Sequence, residues 1–241
     1  MKFCIDAGHN NDSWDTGATG NGLREQDLTF AFGHKLAEVL RNYDFEVIET
    51  RPTKETNLGT DLNSSLQKRC DIANNAGVDY FISIHCNAYN ASANGTETLI
   101  YAKDGEAEKL ANEVNQSLVD NIGTTNRGVK VQNVKVLRST TMPAILVETA
   151  FITNVNDADI LVNRQDDIAN GIVKGICKYL KIDYKEGENN MSQDHWAKAQ
   201  LDELVNAGVI SNPELWSDFE ASVSTKTIGE LLALINKVRK A

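Results

Sequence analysis

What this 241-residue chain lacks narrows its class before any motif is read. No run approaches the roughly 18 consecutive apolar residues that a membrane-spanning helix needs. The opening residues, Met1-Lys2-Phe3-Cys4-Ile5-Asp6, reach an acid before the apolar core of a signal peptide could form. Neither a membrane partner nor an export signal is expected, and synthesis into the cytoplasm follows from that. Positive charge is also scarce: 24 Lys and Arg stand against 34 Asp and Glu, a net charge of −10, with no basic cluster. Phosphate binding is driven by clustered cations, so nucleic acid is excluded as a partner. Cys4, Cys70, Cys86 and Cys177 lie far apart with no CxxC pair. That excludes a disulfide framework and points to reduced, buried thiols. What remains, at 41% apolar and 24% charged residues, is an ordinary globular composition, long enough for one medium domain with a small appendage.

Two kinds of segment alternate over the first 180 or so residues. Short apolar runs at Lys2 to Asp6, Glu46 to Thr50, Tyr80 to Ile84, Thr96 to Tyr101, Val134 to Leu137 and Ala144 to Glu148 predict strands. Helical spacing predicts helices over Glu25 to Asn42, Leu62 to Asn75, Ala107 to Ile122 and Asp167 to Leu180. Strands alternating with helices need crossover connections, which gives an α/β fold with a mostly parallel sheet flanked by helices. Thr96 to Tyr101 follows a short Asn/Ser/Gly stretch instead of a helix, so one antiparallel edge strand is expected there. The polar, aperiodic stretch 183–190 reads as a linker between a domain at 1–182 and a helical hairpin at 191–241.

Polar residues stand at the ends of three apolar runs. His9 follows the first, His85 ends Tyr80-Phe81-Ile82-Ser83-Ile84, and Glu148 ends Ala144-Ile145-Leu146-Val147. In an open α/β sheet the carboxyl ends of parallel strands form the crevice where ligands bind. Glu25 is the fourth: three residues before Leu28, it shares the inward stripe of Leu28, Phe32 and Leu36 at a helix start. A carboxylate on a buried face is costly unless paired or bound to a cation. Singly, each has a plain structural explanation, a satisfied histidine or a capping glutamate. Together they contain two His and one Glu, the ligand set of catalytic zinc sites, with a second carboxylate left over as a general base. His34 and His195 lie on a helix body and at a later helix start, and carry no assigned chemistry. Cys86, next to His85 in a strand, should point to the opposite face. Asn87 and Arg138 are candidates for substrate contact.

The runs Asp6-Ala7-Gly8-His9, Gly22-Leu23-Arg24-Glu25, Ser83-Ile84-His85-Cys86-Asn87-Ala88 and Pro143-Ala144-Ile145-Leu146-Val147-Glu148-Thr149-Ala150-Phe151-Ile152-Thr153-Asn154 resemble the zinc-dependent N-acetylmuramoyl-L-alanine amidases that cut bacterial peptidoglycan. The resemblance covers about residues 1–182. It implies a twisted six-stranded sheet, a zinc cofactor held by His9, Glu25 and His85, and Glu148 as the catalytic glutamate. It also implies hydrolysis of the amide between N-acetylmuramic acid and the L-alanine of the stem peptide. The rival readings are a zinc peptidase acting on the stem peptide and a non-catalytic wall-binding protein. Retention of both His9 and Glu148, which binding alone does not require, weighs against the latter. With no export signal expected, the chain resembles a phage or prophage endolysin that reaches the wall after release. Sporulation-associated and autolytic amidases stand behind that reading. Residues 191–241, with Trp196, Gly208 and an amphipathic stretch through Leu231 and Ile235, resemble a degenerate S-layer-homology-type unit. Their expected partner is a secondary wall polymer or a second copy of the chain.

Overall fold

Alternating apolar residues and helical stripes assemble into a six-stranded sheet with helices on both faces, seen here in a computed structural model that describes residues 1–12 and 14–185. The elements run β1 (Lys2–Ala7), β2 (Thr19–Gly20), β3 (Leu23–Arg24), α1 (Glu25–Arg41), β4 (Glu46–Glu49), α2 (Leu62–Ala76), β5 (Tyr80–Asn87) and β6 (Thr96–Ile100). They continue through α3 (Glu106–Ile122), β7 (Asn126–Val131), α4 (Lys135–Arg138), β8 (Ala144–Phe151), α5 (Val155–Asn163) and α6 (Gln165–Leu180). The compact unit they form spans Met1–Lys185. The predicted hairpin, with His195 and Trp196, lies outside the described residues, as does the linker beyond Lys185.

Strand order across the sheet is β4-β1-β5-β8-β6-β7. The first four run parallel, β6 is antiparallel to β8, and β7 runs parallel to β6. The sheet is therefore mostly parallel, as expected, and β6 is antiparallel as expected. It is not an edge strand, because β7 covers it.

The period of two along each strand sorts the core into two layers. Phe3 and Ile5, Ile82 and Ile84, and Ile145 and Val147 face the larger one, packed on Leu28, Phe32 and Leu36 of α1, Leu110 and Val114 of α3 and Ile172 of α6. Cys4, Phe81, Leu99 and Leu146 face the smaller one with Cys70 and Ala73 of α2 and Val136 and Leu137 of α4. All four cysteines are free and buried.

The β2–β3 hairpin and the helix α5 have no counterpart in the sequence prediction, and two further elements differ from it. Val134 to Leu137 is not a strand but leads into the short helix α4, whose Val136 and Leu137 plug the smaller layer. A four-residue apolar run has no periodicity that separates a strand from a helical plug. The sixth strand is instead Asn126–Val131, an exposed edge carrying Arg127 and Lys130. Charged, polar edge strands blunt pairing with other chains, and the same chemistry hides them from an apolar pattern.

Candidate active site

Four turns and strand ends bring the predicted residues together at the carboxyl edge of the parallel strands. β1 ends at Ala7, and His9 takes the left-handed conformation (φ 66°) that turns its side chain back over the edge. Such a conformation in a non-glycine residue is strained and tends to persist where function requires it. Arg69, fully buried on α2, donates to the carbonyls of Ala7 and His9 and to Asp6, which locks the turn. The Asn21-Gly22 pair joins β2 to β3 with both residues at positive φ (50° and 78°), the geometry of a two-residue hairpin turn. That hairpin delivers Glu25 as the first residue of α1. Its backbone N–H donates to Ala18 O at 2.9 Å, while its Oε2 accepts from Ala18 N at 2.8 Å.

Glu25 is 4% exposed, and its Oε1 is the point of convergence. His9 Nε2 lies 3.1 Å away, His85 Nδ1 3.0 Å away, and the Cys86 backbone N–H donates at 3.0 Å. One donor atom from each of His9, Glu25 and His85 falls within 4.8 Å of the others. His85 lies over Gly8 so closely that a Cβ there would come within 2.5 Å of the ring, so position 8 excludes any side chain. The far nitrogen of His9, Nδ1, lies 2.8 Å from Asp15 Oδ1, and Ser65 Oγ donates to the other oxygen of Asp15 at 3.0 Å. A proton on Nδ1 facing Asp15 leaves the Nε2 lone pair directed at the cluster.

This donor set fits a zinc ion: two imidazoles and a carboxylate, with a carboxylate behind one imidazole to fix its tautomer. Without a cation, burial lowers the affinity of His9 for a proton. The bonds to Asp15 and Glu25 outweigh it and push the imidazole up to about 9. Glu25 is drawn well below the usual carboxylate range, because the two histidines outweigh its burial. A cation entering the site takes the place of the protons held there.

Glu148 completes the arrangement. On β8 it is the register partner of His85 on β5, so both side chains leave the same face of the sheet. Its Oε2 is buried and has no hydrogen-bond partner among the described residues. Burial pushes its carboxyl up to about 7; His85 opposes the shift, and the carboxylates of Glu25 and Glu97 add to it. A carboxylate with its pKa near 7 and a free oxygen beside a cation site is equipped to take and return a proton.

The Cys86 side chain points to the opposite face, into the larger core layer, and its Sγ is not among the converging ligand atoms. Asn87 ends β5, while Arg138 is exposed at the end of α4 and bonded to Asn133. Asp15, Arg69 and Glu97 went unnoticed in the sequence. Arg69 carried a usable signal: a buried-stripe position one residue before Cys70 and four before Ala73.

Residues 3–178 match the family described as N-acetylmuramoyl-L-alanine amidase. The amidase CwlM of Bacillus licheniformis is 34% identical over 187 residues, which is 76% of this chain and 70% of that protein. The endolysin of Bacillus phage SPP1 is 32% identical over 76% of this chain and 67% of its own. The catalytic domain of the amidase CwlV from Paenibacillus polymyxa superposes with a TM-score of 0.68 at 31% identity, covering 76% of this chain and 99% of that one. With nearly three quarters of its length matched, the chain belongs to the N-acetylmuramoyl-L-alanine amidase family.

Proposed function

We propose that this protein hydrolyses the amide joining the lactyl carboxyl of N-acetylmuramic acid to the L-alanine amine of the peptidoglycan stem peptide. His9, Glu25 and His85 would hold zinc. When bound there, the ion supplies Lewis acidity, polarising the scissile carbonyl and making the attacking water more acidic. Glu148 takes the proton of that water on its unpartnered Oε2. The oxygen adds to the carbonyl carbon, the C–N bond breaks, and Glu148 returns the proton to the departing L-alanine nitrogen. Burial raises the proton affinity of this carboxyl above that of an exposed glutamate, which favours its acting as a proton carrier. Asp15 and Arg69 hold His9 in place throughout.

The observation that carries the reading is the position of Glu148, beside His85 in register with one oxygen unsatisfied. A buried acid oxygen is seldom left without a hydrogen-bond partner. Family membership supplies the substrate class, and the likeness to the SPP1 endolysin supports a lytic role on the wall after release. Residues 191–241 are assigned to wall-polymer binding or to pairing with a second copy. Light scattering of the full chain against a chain ending at Lys185 separates the two.

The test is digestion of purified cell wall with and without a chelator, followed by mass spectrometry of the new ends. An amidase releases peptides with a free L-alanine amine and leaves intact muramic acid. New ends inside the stem peptide instead identify a peptidase and overturn the assignment.

A further inference from the structure

The line of side chains that begins at His85 and Glu148 continues across two more strands. Glu148 faces Glu97, its antiparallel register partner on β6, so the two acids share one face of the sheet. Beyond Glu97, β7 carries Arg127 and Lys130. The β6–β7 pairing shifts between Thr96 and Thr98, which places Arg127 and Gly128 together opposite Glu97. A bulge of this kind re-aims a side chain out of the regular ladder.

Glu97 is 8% exposed, and its Oε2 takes both cations: Arg127 Nε donates at 2.6 Å, and Lys130 Nζ pairs with the same oxygen. Burial favours the neutral acid, but the two cations outweigh it and keep Glu97 ionised. The guanidinium is fixed further by the Phe151 ring, 4.8 Å below it, and by the Asn94 carbonyl at 3.3 Å. One cation would neutralise Glu97. Two leave a surplus positive charge, and both side chains stay partly open to solvent, 34% for Arg127 and 43% for Lys130. Most of their N–H donors are not engaged by these contacts. Held in place, charged and open, the pair has the properties of an anion receptor.

Distance and chemistry identify the anion. Adjacent strands lie about 4.8 Å apart, so three strand steps from β5 put β7 roughly 14 Å from His85, the length of about four extended residues. On the proposed function, on which this inference rests, the muramic carboxyl is consumed in the scissile amide and the remaining sugar is neutral. Every carboxylate within reach therefore belongs to the peptide. We propose that Arg127 and Lys130, positioned by Glu97, form a subsite for a carboxylate of the stem peptide and select free-acid over amidated peptides.

Two soluble muramoyl tetrapeptides test this, one with free peptide carboxylates and one with them amidated, hydrolysed by the full zinc-loaded chain. The wild-type protein is expected to favour the free acid through KM. Lys130→Met and Arg127→Met should each cut the acid-to-amide ratio of kcat/KM by about tenfold, the scale of one lost charge-assisted hydrogen bond. Arg127→Lys should restore part of that ratio, which a folding defect could not do. Hydrolysis of both peptides with a ratio that no variant moves overturns the subsite and leaves the amidase intact. Hydrolysis of neither peptide by the wild-type protein overturns the amidase assignment and the subsite with it.

Discussion

Asp6, fully buried, and Glu148, part-buried with its Oε2 enclosed, are acids at the same edge of the same sheet, and the fold treats them in opposite ways. Asp6, at the end of β1, accepts from Thr50 at 2.6 Å, Ser83 at 2.7 Å and Arg69 at 2.7 Å. Burial works to neutralise it, but Arg69 and the two hydroxyls outweigh that and hold its carboxyl below the usual range. Glu148, two strands away, keeps a buried oxygen with no partner, and its carboxyl is pushed up to about 7. Full satisfaction makes a rigid structural anion that steadies the turn carrying His9. An oxygen without a partner makes the ionised form costly, which suits the proton-carrying role proposed for Glu148.

The comparison is broken most severely by removing each acid's role in turn. Glu148→Ala should reduce wall hydrolysis by about 10² to 10⁴-fold, the usual contribution of a general acid–base residue, while zinc content by elemental analysis stays near that of the wild type. His85→Ala should lower both hydrolysis and zinc content. A fully active Glu148→Ala protein would contradict the contrast between the two acids.

Stability provides the next break, and its sign differs between the two sites. Asp6→Asn leaves the buried Arg69 with only the more distant Asp15 carboxylate, 3.8 Å away, as counter-charge and should cost up to about 3–5 kcal/mol in urea denaturation. Glu148→Gln removes a buried charge that has no compensating bond, so it should stabilise chelator-treated protein by about 1–3 kcal/mol at pH 8. The pH windows are opposite too. Asp6 titrates lower in the fold than in the unfolded chain. Its contribution is therefore complete above about pH 4 and is lost as the pH falls through the folded value. Glu148 titrates higher in the fold, so its penalty is absent in acid and complete once the pH passes about 7. The advantage of Glu148→Gln should accordingly vanish below about pH 4.

Catalysis offers a gentler probe of the same shift. A base must be ionised, and a cation beside Glu148 draws its carboxyl below the cation-free value of about 7, so kcat/KM should climb with pH and level off before 7, with Asp6 contributing nothing to that profile. The smallest expected effect concerns charge at large. Seven acidic and five basic residues lie beyond residue 188, so all but two of the ten net negative charges precede it. Gram-positive walls are themselves anionic, so repulsion should weaken with screening, and lysis should hold or rise modestly between low and physiological salt. A steep loss over that range would point to docking through net positive charge instead.

Much of this site was legible because its residues interrupt strong patterns. His85 and Glu148 end apolar strands, and Glu25 falls on an apolar helical stripe; a polar residue in such a place demands an explanation. Asp15 and Glu97 carry no such mark. Asp15 sits in the loop between β1 and β2, where acids are ordinary. Glu97 lies in Thr96-Glu97-Thr98-Leu99-Ile100, where a single acid reads as the solvent side of a strand, yet β7 and the cations on it enclose it. The edge strand itself was missed for the same reason, since its exposed residues carry the polar face and little of the apolar one.

Sequence by itself determined the class of fold, the four long helices α1, α2, α3 and α6 and the four polar residues singled out at the sheet edge, because helical and strand periodicities are local and a polar break in them is visible within a few residues. Tertiary structure alone decided that β1, β5 and β8 lie side by side, that His85 and Glu148 share a register, and that Glu97 and its two cations extend the same row. Those facts depend on which strands pair and in what alignment, and pairing is settled by packing between segments scores of residues apart. The difference between Asp6 and Glu148 has the same origin: both are acids following apolar residues, and only their neighbours in space satisfy one fully and leave the other with an unpartnered oxygen.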